Sequence, residues 1–157
     1  MQNALLAQIA AEIEEFARTA SDLASLEEFA VEQIAFRLPA YNWVGFYWLD
    51  PGDPQMLELG AFIGAPTGHT RIPVSVGICG AAVVEGETIV VDDVRADPRY
   101  LACSIETRSE IVVPIRTHGR IVGEIDIDSH SAAAFGAEDR AFLEQCARII
   151  GAFIAGT

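Results

Sequence analysis

The chain has 157 residues, of which 51% are hydrophobic, and this length and composition predict one domain with one sizeable core. Its formal charge of -13, from 23 acidic and 10 basic residues, repels phosphate backbones and anionic lipids, which argues against nucleic-acid and membrane partners. The sequence has no secretion signal, no long apolar run and only three cysteines without zinc-ligand spacing, so it predicts a cytoplasmic protein without a bound metal or a disulfide scaffold.

The first 38 residues predict a pair of helices. Apolar residues recur at three- and four-residue steps from Leu6 to Phe16, which is typical of an amphipathic helix with one buried face. Ser25 and Glu28 have the spacing of a capping box and predict the start of a second helix. Pro39 sets its end.

A hairpin and a short helix are expected next. NWVGFYWL, which begins at Asn42, is aromatic and β-prone, and MLELGAFIG follows it after a turn. An extended stretch then leads through Gly77 into a short helix that Gly86 can close, and TIVVDDV resumes a strand.

The remaining elements complete an α+β pattern. SEIVVPIRTHGRIVGEIDIDS predicts two strands joined at a turn, and a helix follows over residues 137–155. We expect an antiparallel central sheet with the N- and C-terminal helices on one side, and with loops and the short helix forming a ligand pocket on the other. The single domain would cover residues 1–157, with the helical pair at 1–38 and the sheet and pocket at 42–129.

Two aromatic residues share one face of the first strand. Side chains alternate along a strand, so Trp43 and Tyr47 lie on the same side with Gly45 between them, which predicts a gap between the two rings. Such a pair could form walls for an S-methyl group, since sulfur beside an aromatic ring is favourable by about 0.3 to 1.5 kcal/mol. The rings could instead be ordinary core side chains.

Three carboxylates alternate with isoleucines on the last strand. Glu124, Asp126 and Asp128 therefore share one face, which is either a solvated surface or part of a site. If they crowd a cavity, they cannot all ionise cheaply, and at least one should keep its proton near neutral pH.

The position of Glu110 depends on the hairpin register. A two-residue loop would pair Glu110 with Ile127 and turn it toward the core. A three-residue loop over residues 118–120 would pair Glu110 with Asp128 and leave it beside the other carboxylates. The apolar pattern of the two strands favours the three-residue loop.

The three cysteines have different surroundings in the sequence. Cys103 lies in a loop shortly before an acidic strand, where it is either a nucleophile or a buried structural residue. Cys79 begins the short helix, whose N-terminus favours a thiolate, so it is either a reactive thiol or a small packed residue. Cys146 falls on the apolar stripe of the last helix and is predicted to be core.

Four segments in order, NWVGFYWL, RIPVSVGICGAA, LACSIETRSEIVVPI and GEIDIDS, resemble the GAF-domain family of free methionine-(R)-sulfoxide reductases. The resemblance runs from about Asn42 to the end, and the combination of motifs is specific. It implies that Cys103 is the catalytic cysteine and that Cys79 is a second family cysteine. It further implies that the aromatic pair packs against the substrate's methyl end, and that three carboxylates hold its amino group and sulfoxide: Glu110, Asp126 and Asp128.

The resemblance implies an enzyme that reduces free methionine-(R)-sulfoxide under oxidative stress, through a sulfenic acid on its cysteine. A thioredoxin-like reductant would recycle it, no cofactor would be needed, and the chain would form a homodimer. A protonated carboxyl would activate the sulfoxide, and the remaining charge would hold the ammonium that a peptide-linked residue lacks. The alternative is a non-catalytic GAF module that binds a small molecule or senses redox state.

The chain departs from the family pattern at one place. Many members carry a further cysteine, which resolves the oxidised nucleophile, a few residues before the RIPV segment. Here GAPTGHT contains none, and His69 falls near that place. Cys79 is then the one intramolecular candidate for the resolving step.

Overall fold

The computed structural model describes residues 2–102 and 104–157, so Cys103 lies outside the described residues. The elements, in chain order, are α1 (Gln2–Thr19), α2 (Leu23–Arg37), β1 (Trp43–Asp50), β2 (Asp53–Ile63), β3 (Arg71–Pro73), α3 (Gly77–Glu85), β4 (Ile89–Val91), β5 (Ser109–Thr117), β6 (Arg120–Ser129) and α4 (Ala137–Ala155). A single 3-10 turn, Val94–Ala96, follows β4.

One antiparallel sheet organises the molecule, in the order β3-β2-β1-β6-β5-β4. Its two edge strands are only three residues long. Helices α1, α2 and α4 share a hydrophobic core with one face of the sheet, while α3 and the neighbouring loops cover the other. The predicted α+β architecture is therefore confirmed. Within the described ranges, no helix has the length and apolar character needed to span a bilayer.

The start of α2 differs from the sequence prediction. The helix begins at Leu23, and the carboxylate of Asp22 accepts a hydrogen bond from the backbone N–H of Ser25 at 2.8 Å. The capping box predicted at Ser25 and Glu28 is wrong, because Asp22 already satisfies a free donor of the first turn and extends the helix toward the N-terminus.

The hairpin between β5 and β6 closes with two residues. Thr117 pairs with Arg120, and the residues between them, His118 and Gly119, have φ values of 51° and 75°. Positive φ at both central positions is the conformation of a type I′ turn, whose twist matches that of the flanking strands. The three-residue loop predicted from the sequence is therefore wrong.

The expected strand pairing nevertheless forms, because β6 contains a bulge. Ile115 pairs with Gly123, whereas Arg116 pairs with Ile121. The register therefore shifts by one residue, and Val122 has no partner on β5. One extra residue on β6 has the same effect on register as one extra residue in the loop. Glu110 consequently pairs with Asp128, as predicted.

Candidate active site

Aromatic and acidic side chains meet on the face of the sheet that α3 covers. β6 lies between β1 and β5, and Asp128 pairs with Trp43 on one side and with Glu110 on the other. Two residues along, Asp126 pairs with Gly45, and Glu124 follows opposite Tyr47. The register thus brings the predicted pocket residues of the described chain together.

The two aromatic rings of β1 form a continuous wall. The ring centroids of Trp43 and Tyr47 are 6.2 Å apart with an interplanar angle of 23°, and Trp43 also stacks on Phe62 at 5.4 Å. A Cβ atom at Gly45 would lie 2.4 Å from Cη2 of Trp43. The gap expected above Gly45 is therefore filled by the Trp43 indole, whose Nε1 donates to the carbonyl oxygen of Ala65 at 3.1 Å.

The carboxylates are buried, so the solvated-face interpretation is wrong. Glu124 is 0%, Asp126 2%, Asp128 4% and Glu110 5% exposed. One oxygen of each aspartate and both oxygens of Glu124 have no hydrogen-bond partner among the described residues. Buried carboxylates without hydrogen-bond partners destabilise the fold, and a bound cationic or hydrogen-bonding group would offset that cost.

Burial keeps protons on this cluster. The pKa of Asp128 is raised well above its ordinary value, first by desolvation and then by the charge of Asp126, while a hydrogen bond with Glu110 opposes the shift. Desolvation also raises the pKa of Asp126, against hydrogen bonds with Glu110 and Cys79. These directions support the expected retention of at least one carboxyl proton near neutral pH.

Cys79 lies against the same carboxylates. Its thiol donates to Oδ2 of Asp126 at 3.3 Å, and the side chain is buried. Burial raises the pKa of Cys79 well above its ordinary value, and the charge of Asp126 adds to the shift. The helix N-terminus favours a thiolate at Cys79, but desolvation and the adjacent carboxylates oppose it. Cys146 is buried in the helical core, as predicted.

Two small cavities border the site. One of about 80 Å³ is lined by Trp43 and Asp128 together with Ser104, and one of about 10 Å³ by Tyr47, Cys79, Leu101 and the neighbouring carboxylates. Leu101 and Ser104 flank Cys103 in the chain, so the loop that carries the predicted nucleophile passes beside both cavities.

A family model for the GAF domain matches residues 4–154. The structure superposes on that of a free methionine-R-sulfoxide reductase from Neisseria meningitidis in complex with its substrate. The TM-score is 0.92 and the identity 35%, with 98% of this chain and 90% of the other covered. The chain belongs to the GAF-domain family of free methionine-R-sulfoxide reductases.

Two curated relatives are similar to this chain in sequence. A free methionine-R-sulfoxide reductase of Saccharomyces cerevisiae is 41% identical over 110 residues, which span 69% of this chain and 61% of the yeast protein. Protein YtsP of Bacillus subtilis is 42% identical over 113 residues, which span 72% of this chain and 68% of that protein.

Glu124 shares a buried face with Asp126 and Asp128, as strand alternation predicted, but it was given no role in the site. Burial and the charge of Asp126 raise the pKa of Glu124 well above its ordinary value, while the nearby Cys79 thiol lowers it by a smaller amount. The resemblance assigned no role to Glu124, because its motif was applied only to the aspartates and Glu110.

One group in the described part of the chain has the spacing of metal ligands. Ligand atoms of Cys79, Glu110 and Asp126 lie within 4.8 Å of one another. A metal would have to displace the thiol proton, which burial holds firmly. In the present arrangement the thiol proton is already used in the hydrogen bond to Asp126.

Proposed function

We propose that this protein reduces free methionine-(R)-sulfoxide to methionine by thiol chemistry at Cys103. The observation that carries the proposal is the row of buried carboxylates on β6, which pairs with the strand of Trp43 and Tyr47. Oxygens of Glu124, Asp126 and Asp128 have no hydrogen-bond partner among the described residues. Membership of the reductase family supports it. Cytoplasmic location and a homodimer remain expectations, and light scattering measures the latter.

The pocket can recognise each end of the substrate. The edges of Trp43 and Tyr47 offer an apolar surface to the S-methyl group, where sulfur and aromatic rings attract. The buried carboxylates offer charge-assisted hydrogen bonds to the ammonium group, which only the free amino acid carries. Asp126 and Asp128 each present one oxygen without a partner among the described residues, so both have capacity for this contact.

The reaction consumes one thiol and transfers one oxygen atom. A protonated carboxyl, which we assign to Glu110 or Asp128, donates to the sulfoxide oxygen and makes the sulfur more electrophilic. The Cys103 sulfur attacks, the sulfur–oxygen bond of the substrate breaks, methionine leaves with two more electrons, and Cys103 becomes a sulfenic acid. Loss of the Cys103 proton is coupled to arrival of the substrate ammonium, since the empty acidic pocket opposes a thiolate.

Recycling needs one resolving thiol and a dithiol reductant. Attack of a thiol on the sulfenic acid releases water and forms a disulfide, which a thioredoxin-like dithiol then reduces. We propose Cys79 as the intramolecular partner, because it lies in the same pocket as the carboxylates. Peptide mapping after substrate treatment should find a Cys79–Cys103 disulfide. Cys103 found instead as a persistent sulfenic acid, or joined to another molecule, would assign Cys79 a structural role.

The proposed activity is tested by comparing substrates that differ in stereochemistry at sulfur and in whether the methionine sulfoxide is free or part of a peptide. Methionine release is measured from the separate R and S sulfoxides and from a peptide containing the R sulfoxide, with dithiothreitol as reductant. We expect turnover of the free R form alone. Binding without turnover would favour a ligand-binding GAF module, and turnover of the peptide would contradict recognition of the ammonium group.

A further inference from the structure

A hydrogen bond links the segment between β2 and β3 to the loop that carries Cys103. Nε2 of His69 lies 2.9 Å from the carbonyl oxygen of Ala102, the residue before Cys103 in the chain. A carbonyl oxygen only accepts hydrogen bonds, so Nε2 carries the hydrogen and donates it. The two residues are 33 positions apart in sequence, so the bond is a tertiary connection.

The backbone of His69 is itself fixed to the pocket. The Tyr47 hydroxyl donates to the carbonyl oxygen of His69 at 2.7 Å, and the His69 N–H donates to Oγ1 of Thr67 at 3.0 Å. Tyr47 is 1% exposed and forms part of the aromatic wall. A short chain of hydrogen bonds therefore runs from the pocket wall, through His69, to the residue beside Cys103.

The loop that contains Ala102, the acceptor of this hydrogen bond, has little regular secondary structure. In the described residues between 97 and 108 there is no helix or strand, and the turns that form there are local. Its far end is anchored where the N–H of Arg108 donates to the carbonyl oxygen of Ser129. A loop of this kind samples several conformations unless tertiary contacts select one.

We propose that His69 is a positioning residue that holds the Cys103 loop in place for the reaction. It acts through the Ala102 carbonyl and does not take part in the proton or oxygen transfer. Holding a nucleophile in its reactive geometry raises the rate without changing the chemistry. The expected effect on kcat/KM rests on the proposed function. The hydrogen bond between His69 and Ala102 does not depend on it.

Kinetics of three variants test the role. His69→Ala and His69→Leu both remove the donor, and leucine keeps the bulk of the side chain. His69→Gln places an amide nitrogen near the position of Nε2 and can still donate. We expect kcat/KM to fall about tenfold in the first two variants, mainly through kcat, and to return within about threefold of wild type in His69→Gln. His118→Asn, at the hairpin turn, is the matched control.

The outcomes separate positioning from chemistry. Unchanged kcat/KM in both donor-free variants would overturn the proposal. Equal loss in His69→Gln and His69→Ala would also overturn it, since the imidazole would then act by its own chemistry. Thermal melting identifies a variant whose loss of activity reflects unfolding, and the leucine variant then decides.

The rate of alkylation of Cys103 tests whether His69 holds the loop, and it needs no enzymatic turnover. Iodoacetamide labelling, followed by peptide mapping, should be several-fold faster at Cys103 in His69→Ala than in wild type or His69→Gln, because the loop is released. Cys146 is buried in the helical core, away from the loop, and serves as the internal reference. Equal labelling rates would refute this role of His69. An inactive wild type with the expected labelling difference would refute only the proposed function.

Discussion

At the scale of single residues, the buried carboxyl group of Glu124 lowers the stability of the folded protein at neutral pH. Its carboxyl group is inaccessible to water, and burial raises its pKa well above the ordinary value of 4.5. The folded protein therefore keeps a proton that the unfolded chain releases above about pH 4.5. Stability from this group is complete below that pH and is lost as the pH rises toward the folded-state pKa. The buried carboxylate face is thus built at the expense of stability at neutral pH.

Glu124→Gln should remove this pH dependence. Glutamine has the shape of the protonated acid but does not ionise, so the free energy of unfolding of the variant should exceed that of wild type increasingly above about pH 4.5. The slope should approach about 1.4 kcal/mol per pH unit for one proton. Urea denaturation at pH 5, 6, 7 and 8 measures it. Exposed Glu14 provides the control through Glu14→Gln, and identical pH profiles for the two variants would contradict the account.

At the scale of elements, β1 positions the aromatic wall through close packing on Gly45. A methyl group there would lie 2.4 Å from the Trp43 ring and 2.9 Å from Cβ of Phe62, so the indole must move. We expect Gly45→Ala to raise KM for methionine sulfoxide about tenfold, with a smaller effect on kcat. Gly156→Ala, whose added methyl makes only ordinary contacts, should leave both constants unchanged. An unaltered KM in Gly45→Ala would show that the indole does not contact substrate.

The faces of the strands were predictable because alternation has a period of two residues. It correctly put Ile125 and Ile127 in the helical core and Asp126 and Asp128 on the pocket face. The bulge at Val122 was not predictable, since an extra loop residue and an extra strand residue give the same apolar pattern.

Competing local effects explain the remaining errors. Ser25 is a good helix cap by composition, but the Asp22 carboxylate precedes it and reaches the Ser25 N–H. A helix N-terminus favours a thiolate at Cys79, yet the strength of burial and of the facing carboxylates depends on tertiary structure. Sequence spacing could not rank these effects, because their magnitudes are set by elements distant in the chain.

At the scale of the whole molecule, we expect the pocket to open when it admits its substrate. The two cavities measure about 80 and 10 Å³, whereas sites for small molecules usually enclose roughly 300 to 1,000 Å³. The described residues of segments 64–70 and 97–108 that line these cavities lie outside the helices and strands.

Hydrogen exchange should report this opening. We expect amides in the segments 64–70 and 97–108 to exchange quickly in the free protein and to be protected when methionine sulfoxide binds to a protein in which Cys103 is replaced by serine. Amides of β5 and β6 should change little, because these strands are already paired. Protection spread evenly over the molecule, or confined to the helical layer, would contradict a substrate site beneath these loops.

The central claim is that Cys103 reduces free methionine-(R)-sulfoxide in the acidic pocket. The most direct measurement is the initial rate of methionine formation from the R sulfoxide, with dithiothreitol in excess, for wild type, Cys103→Ser and Cys146→Ser. We expect turnover by wild type and Cys146→Ser and none above background by Cys103→Ser, since serine is a far weaker nucleophile and cannot form a sulfenic acid. Equal activity in the two cysteine variants would contradict it.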